Sequence, residues 1–599
     1  MPSTDVSLIA AATGGSFLLE TRIPAEIFTP EDLNEEQRQI AATAARFARE
    51  EILPRVASIE AKEPGAMAAL LRKAAELGFT AVDIPEEYGG MGLDKISSTL
   101  ITDHISVLAS FSTAFGAHIG IATLPLVWYG TEEQKQRCLP KLATCEWIGA
   151  YGLSEASSGS DAMNIRTRAT LSPDGAHYIL NGEKQWLTNG GTADLYTVFA
   201  KIDGEKFSAF LIERGTPGLT VGAEEHKLGI RGSSTCPLVL QDCKIPKENL
   251  LGEAGKGHHI AFNVLNVGRF KLGVACIGGA RHALAAMIRY AKERHAFGKA
   301  IAEFGLIQRK ISTAATQLYA AESMAYRTVG LIEARLAKLT AENPDQHIDV
   351  ARNIEEYAVE CSILKIYGSE MLTLVADELI ATMGGYGYTE EYPAERTYRD
   401  ARINRIFEGT NEINRLIVTG WMMKRAMSGK LPLLAAIKRV MDEVTEPPSL
   451  DGAASSGEAL AREAEILSKT RKIALFAAGV ASQRFMTGLE EQQEIMADLA
   501  DMTSQVYALE SALLRARKLA AAGRNSAEPA AAMTALLADE SMALAEQASR
   551  RVLAACGEGD ELMTQLAILR RLARFTPADV VALSRTVARH AIALERYPV

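Results

Sequence analysis

The apolar positions change period twice along the chain. From Asn34 they recur at helical spacing, as at Ile40, Ala44, Phe47 and Ala48, behind an Asn and acidic residues that mark a helix start. Helical texture is expected over 35–146, interrupted by the turn ProGluGluTyrGlyGlyMetGly at 85 to 92. Over 147–255 the runs become short and β-branched, separated by ProAspGly at 173, AsnGly at 181, AsnGlyGly at 189 and AspGly at 203. Turn residues at that spacing predict antiparallel strands. Helical periodicity returns over 256–430 in segments too long to be strands, which predicts a bundle. A Pro-, Gly- and Ser-rich stretch after Val444 places a linker at 431–458, and 459–599 is again helical, rich in Ala, Leu, Glu and Arg. Residues 1–34 read as an N-terminal extension.

Ile105 to Gly130 carries no formal charge apart from what His118 can take up, and it is long enough to span a bilayer. Pro125 and several Ser, Thr and Gly residues raise the cost of insertion, so a buried core segment is expected. The 599 residues point to three or four domains, because a domain typically takes about 150 residues. At 48% hydrophobic and 23% charged, the chain can bury sizeable cores. The net charge of -10 gives no general attraction to nucleic acid. Seven scattered cysteines without a C-x-x-C pair imply reduced thiols. The first twenty residues lack a basic n-region and an Arg-rich amphipathic pattern. The expected location is the bacterial cytoplasm, with peripheral membrane contact open, or the mitochondrial matrix for a processed eukaryotic chain.

No Walker A, G-x-S-x-G or H-E-x-x-H motif is present. His258 and His259 are adjacent, so their side chains are expected to point apart at the surface, and no metal site is expected. The segment from Arg402 to Arg415, ArgIleAsnArgIlePheGluGlyThrAsnGluIleAsnArg, stands out. Glu408 follows two apolar residues and precedes Gly409, which lets a ligand approach the backbone. A carboxylate in an apolar pocket becomes a stronger base. The same spacing also suits a carboxylate at a helix N-terminus near Thr410.

This segment resembles the C-terminal signature of the acyl-CoA dehydrogenase family. TyrGlyLeuSerGluAlaSerSerGlySerAsp at 151 to 161, AsnGlyGluLysGlnTrpLeuThrAsnGly at 181 to 190, GluArgHisAlaPheGlyLys at 293 to 299, MetGlyGlyTyrGlyTyr at 383 to 388 and IleProGluGluTyrGlyGlyMetGlyLeuAsp at 84 to 94 resemble further family motifs, in family order. The resemblance implies a mainly α fold with a central β-domain: an N-terminal helical domain, a middle antiparallel β-barrel domain and a C-terminal helical bundle, here followed by an additional helical domain. It implies α,β-dehydrogenation of an acyl-CoA with FAD as cofactor and electron-transfer flavoprotein as acceptor. Glu408 would be the base and its N–H would bind the thioester oxygen.

For the remaining residues the resemblance implies flavin contacts at Tyr151, Leu153, Ser154, Trp186, Leu187 and Thr188. Ser160 would meet the CoA arm and lie near the cofactor. Arg294, Phe297 and Gln308 would reach FAD across a dimer interface, Gly384 and Gly385 would admit the dinucleotide, and Thr410 and Glu412 would touch its adenosine part. Asn266, Arg269, Phe407 and Gly409 would surround the substrate. Some members carry the base directly before the residue matching Arg269; here that position is Gly268. Ala381, Gly305 and Phe407 depart from residues common in the family. The extra length resembles the very-long-chain subgroup, which implies a homodimer and long-chain substrates, with Gly116, Ala117 and Gly120 leaving room for a deep channel. In that subgroup the tail can contact membranes, and LeuProLeuLeuAlaAlaIleLysArgValMet at 431 to 441 suits either a membrane surface or packing on the bundle. An acyl-CoA oxidase and a non-catalytic scaffold on the same fold remain alternatives.

Overall fold

The structure, a computed structural model, describes residues 12–342, 350–445 and 458–599. The first long helix, Glu35–Phe47, starts where the sequence signals it. Asn34 caps it by accepting from the Gln37 N–H at 2.8 Å, and the Gln37 side chain answers by accepting from the Asn34 N–H. The uncharged stretch forms the helix Ala109–Gly116, a π turn Ala117–Ala122 and the helix Leu124–Tyr129. This stretch and the helix Gly257–Glu293 are long and apolar enough to cross a membrane, yet 67% and 72% of their most apolar windows are buried inside the protein. They are core helices of the fold.

The middle domain is an eight-stranded sheet: β1 (Gly149–Gly152), β2 (Arg168–Leu171), β3 (His177–Thr188), β4 (Leu195–Ile202), β5 (Lys206–Glu213), β6 (Leu219–Val221), β7 (Thr235–Pro246) and β8 (Leu250–Leu251). The order is β6-β7-β3-β2-β4-β5-β8, with β1 on β4. The antiparallel expectation needs one correction, since β1 and β2 both run parallel to β4. ProAspGly at 173 and AspGly at 203 do turn the hairpins β2–β3 and β4–β5, whereas AsnGly at 181 lies inside β3 at a register shift and AsnGlyGly at 189 leads from β3 to β4, which are not neighbours in the sheet.

The bundle comprises the helices Gly257–Glu293, Gly305–Glu342, Ala358–Met383 and Asn411–Met427. Two readings change here. The expected linker at 431–458 contains the helix Leu433–Thr445, whose Leu433, Ala436, Val440 and Val444 are buried in the bundle core while Leu434 stays exposed. Its apolar face is thus used inside the protein, and the Pro- and Ser-rich part at 446–457 lies outside the described residues. The C-terminal region is also no tethered appendage. Its helices Ala461–Phe485, Gln493–Ala521, Ala527–Cys556 and Val580–Leu594 share one continuous core with the bundle, in which Tyr319 and Met324 join Tyr507 and Leu509.

Buried ion pairs cross the same boundary. Arg327 meets Glu510 at 2.9 Å, and Arg515 bridges Glu31 and Glu322, each at 2.7 Å. Each charge has partners that offset its desolvation, so removing one partner would strand the others. His258 and His259 also correct their expectation. They lie at the surface as expected, in the first turn of Gly257–Glu293, but their rings do not point apart: the centroids are 4.1 Å from each other.

Candidate active site

Glu408 lies in the short link between a 3-10 turn at Arg402–Arg405 and the helix Asn411–Met427. The N-terminal carboxylate role goes to its neighbours. Thr410 caps the helix through the Ile413 N–H, and Glu412 occupies the first turn, its pKa lowered by its own backbone N–H. Glu408 itself has φ 58, a left-handed backbone that a Glu rarely adopts, and Gly409 follows at φ 79. Such strain persists where surrounding contacts hold it. Lys365 donates to the Gly409 carbonyl at 2.7 Å and to Asn411 Oδ1 at 2.7 Å. Asn414 donates to the carbonyls of Gly409 at 2.9 Å and Thr410 at 3.0 Å. Arg269 Nε reaches the Glu408 carbonyl at 3.4 Å, and Arg269 is itself oriented by Asn266 Oδ1 at 2.8 Å.

With its backbone pinned, Glu408 turns its side chain into a cleft. Among the described residues its buried Oε2 has no hydrogen-bond partner. Burial raises the carboxyl from 4.5 to about 7, against the opposing pull of Arg269 and Lys365. Space for the carboxylate is made by Gly268, where a Cβ would stand 2.6 Å from Oε2. Among the described residues the Glu408 N–H has no acceptor.

The cleft encloses about 1060 Å³, part of it open to solvent, and is lined mainly by apolar residues such as Ile105, Phe115, Ile119, Leu272 and Phe407. Its walls are the helix Gly257–Glu293 and the uncharged stretch that the sequence singled out. Gly116, Ala117 and Gly120 line it, and a Cβ at Gly116 or Gly120 would meet nothing within 4 Å. The cleft runs along the long helix from Gly268 to Gly279, roughly 16 Å at 1.5 Å per residue. Those dimensions suit an extended aliphatic chain.

The sheet brings its motifs to the mouth of this cleft. Thr188, at the end of β3, lines it, and the next residue, Asn189, ties the strand to the Ala114 carbonyl at 2.9 Å. A register shift in β3 between Lys184 and Leu187, with Trp186 at φ 58, turns the indole outward and leaves it 56% exposed. Burial, with the nearby Glu408 charge adding to it, raises the Tyr151 hydroxyl well above its usual value, and among the described residues that hydroxyl has no partner. Ser154 is half-buried and Ser160 exposed on the following loop. Glu155 fastens this loop by accepting from Lys184 at 2.7 Å and from the N–H groups of Arg166 and Thr167.

The side chains of Leu153 and Leu187 point into the core, so a flavin contact there falls to their backbone. At a separate patch, Arg294 and Gly384–Gly385 line a second depression, where a Cβ on either glycine would meet nothing within 4 Å. Among the described residues the buried Thr382 hydroxyl beside it has no partner. Phe297 is 96% exposed, and Gln308 is half-buried, donating to the Ala302 carbonyl at 3.1 Å. A large aromatic left in water next to an open backbone cradle marks a surface built for contact.

Sequence reasoning missed Lys365 and Asn414. Lys365 stands alone in the apolar run CysSerIleLeuLysIleTyrGly, 361 to 368, and a lone buried lysine was the available signal. Replacing Lys365 by Met is expected to loosen the catalytic turn and remove a charge that favours the ionised Glu408. A pH–rate profile should then move to higher pH, with turnover lowered about tenfold or more. A loss of turnover with no alkaline shift would show that Lys365 serves folding alone.

Family models for acyl-CoA dehydrogenase match in four segments: the N-terminal domain at 34–146, the middle domain at 150–243 and two C-terminal domains at 255–423 and 469–571. The chain is 47% identical over 588 residues to a probable acyl-CoA dehydrogenase of Bacillus subtilis (strain 168), covering 98% of each. It is 36% identical to the very long-chain specific acyl-CoA dehydrogenase, mitochondrial, of Homo sapiens, covering 76% of this chain and 70% of that one. A crystal structure of acyl-CoA dehydrogenase complexed with FAD from Bacillus anthracis superposes with a TM-score of 0.95 at 45% identity, covering 98% of this chain and all of that one.

Proposed function

The chain belongs to the acyl-CoA dehydrogenase family and is an FAD-dependent enzyme; from this premise we propose that it oxidises long-chain acyl-CoA thioesters to trans-2-enoyl-CoA, the first step of fatty acid β-oxidation, with Glu408 as the base and electron-transfer flavoprotein as the acceptor. The observation that carries this reading is the unpartnered Glu408 carboxylate at the head of a cleft that continues along the helix from Gly268 to Gly279.

The residues fit the cofactor. Unpartnered hydroxyls on Tyr151 and Thr382, outward-facing Trp186 and the open Gly384–Gly385 backbone are groups without a use inside the chain. Tyr151, Ser154, Trp186 and Thr188 would hold the flavin end, with Gly384, Gly385, Thr410 and Glu412 further along the dinucleotide. Arg294, Phe297 and Gln308 would be contributed to a second copy, in line with the exposure of Phe297, which supports a homodimer. When bound, FAD supplies the acceptor for the hydride lost from the β-carbon.

The chain's own part is proton removal. The Glu408 carboxylate takes the α-proton, and burial makes it basic enough to do so near neutral pH. Charge arriving on the thioester oxygen is met by the free Glu408 N–H, an interaction worth a few kcal/mol for one such donor. Phe407, Leu272 and Phe115 keep water out of the cleft, which strengthens both interactions.

Substitution of Gly120 by Leu tests the chain-length reading. The added side chain enters open channel space, so kcat/KM should fall at least about tenfold for palmitoyl-CoA and much less for butyryl-CoA. Equal losses on both substrates would contradict the proposed path of the acyl tail, and wild-type activity falling sharply above octanoyl-CoA would overturn long-chain specificity.

A further inference from the structure

Lys271 lies one turn beyond Gly268 on the helix Gly257–Glu293, on the face that lines the cleft. Its ammonium donates to the Ser98 carbonyl at 2.8 Å, to the Ser98 hydroxyl and to Thr102 Oγ1 at 3.3 Å. All three partners are neutral. Asp83, also in the lining, faces the lysine, but its two oxygens are occupied by Lys95 at 2.6 Å and by the Ser98 hydroxyl at 2.6 Å. Among the described residues no carboxylate pairs with Lys271 within 4.0 Å. Lys95 thus takes the direct contact with the aspartate, and Lys271, which faces the cleft, is left without an ion pair.

Burial lowers the Lys271 ammonium to about 8, which leaves it mostly cationic at neutral pH. An enclosed cation whose hydrogen-bond partners are all neutral is costly; its three N–H donors are engaged, so an anion would displace the longest contact, to Thr102 Oγ1 at 3.3 Å, in exchange for a charge-assisted one. A simple alkyl chain cannot supply that anion; an acyl chain ending in a carboxylate can.

Resting on the dehydrogenase reading above, we propose that Lys271 binds the terminal carboxylate of ω-carboxyacyl-CoA thioesters, so that the same cleft accepts thioesters of dicarboxylic acids. Geometry sets the length. Lys271 is roughly 5 Å along the helix from Gly268, whereas the apolar cleft continues to Gly279, roughly 16 Å away. The shorter span is about four carbon–carbon bonds, so the preference should appear at the short end of the series and fade for longer diacids, whose carboxylate would overshoot into apolar lining. Thr102, Ser106 and Ser112 add hydroxyls to the same wall.

The test compares anaerobic flavin reduction of the FAD-loaded protein by unsubstituted acyl-CoAs and by mono-CoA thioesters of dicarboxylic acids over a graded series. ω-Hydroxyacyl-CoAs of the same lengths serve as a neutral polar control. At the short lengths that reach Lys271, the ω-carboxy thioester is expected to match or exceed the unsubstituted one in kcat/KM and to exceed the hydroxy analogue. Lys271→Met should lower the ω-carboxy to unsubstituted ratio at least about tenfold, and Lys271→Arg should preserve it. If wild type reacts at least about tenfold more slowly with ω-carboxy thioesters at every length, the proposal is overturned, whether or not the variants fold. An unchanged ratio in a folded Lys271→Met protein overturns it as well. Reduction by none of the substrates, unsubstituted ones included, instead brings down the dehydrogenase reading on which the proposal stands.

Discussion

Glu408→Gln should retain FAD and the fold while losing turnover of palmitoyl-CoA by roughly 10²- to 10⁴-fold, the range expected when a positioned base is removed. Glutamine keeps the volume and the backbone N–H but cannot take a proton. Stability should move in the opposite direction. Burial lifts the folded carboxyl from 4.5 to about 7, so the folded protein holds a proton that the unfolded chain has released between those values. That contribution is fully present below about pH 4.5 and is lost as pH rises through about 7. At pH 8 the ionised wild-type carboxylate therefore carries a cost of up to about 3 kcal/mol that the neutral amide avoids. Thermal melts of the FAD-free proteins at pH 6 and pH 8 should show the variant gaining on wild type as pH rises. A variant that loses both activity and stability at pH 8 would mean that Glu408 is a structural residue.

Gly268→Ala should produce the second largest loss, from a residue that does no chemistry. A Cβ there meets Glu408 Oε2 at 2.6 Å and its Cδ at 2.8 Å. The atoms in the way are the far end of a flexible side chain, so the helix accommodates alanine and the carboxylate swings aside. Alanine in place of mid-helix glycine favours the helix by up to about 1 kcal/mol. Displacing a catalytic group by about 1 Å can cost on the order of 10²-fold in rate. The expected result is a protein at least as stable as wild type, with normal FAD content and kcat lowered about 100-fold. Wild-type kcat in Gly268→Ala would show that the carboxylate does not need the place in which it stands.

The sequence and the folded chain agree best where a local pattern decides the outcome. The change of period at 147 and 256 matches the start of β1 and of the long bundle helix, and the helix that Asn34 signals does start there, with Asn34 as its cap. The site was legible through its motifs, and the small residues Gly116 and Gly120 do open the cleft. What stayed hidden depended on contacts distant in sequence. The parallel pairings of β1 and β2 with β4, the core shared between the bundle and the C-terminal helices, and the hold of Lys365 on the Gly409 carbonyl leave no local trace. Gly268 illustrates the limit. Its sequence position showed only that no second carboxylate stands before Arg269, whereas the fold shows that the absent side chain is the space Glu408 occupies. Leu153 and Leu187 show the same limit in reverse, since a motif marks residues near a ligand without telling which face each side chain takes.

The most direct measurement is the rate of flavin reduction when the FAD-loaded protein is mixed anaerobically with palmitoyl-CoA, followed from pH 5.5 to 9. A buried Glu408 acting as base predicts bleaching of the flavin at a rate that rises about tenfold per pH unit on the acid side and levels off above about pH 7. Absence of bleaching at every pH, or a rate independent of pH across that range, would contradict it.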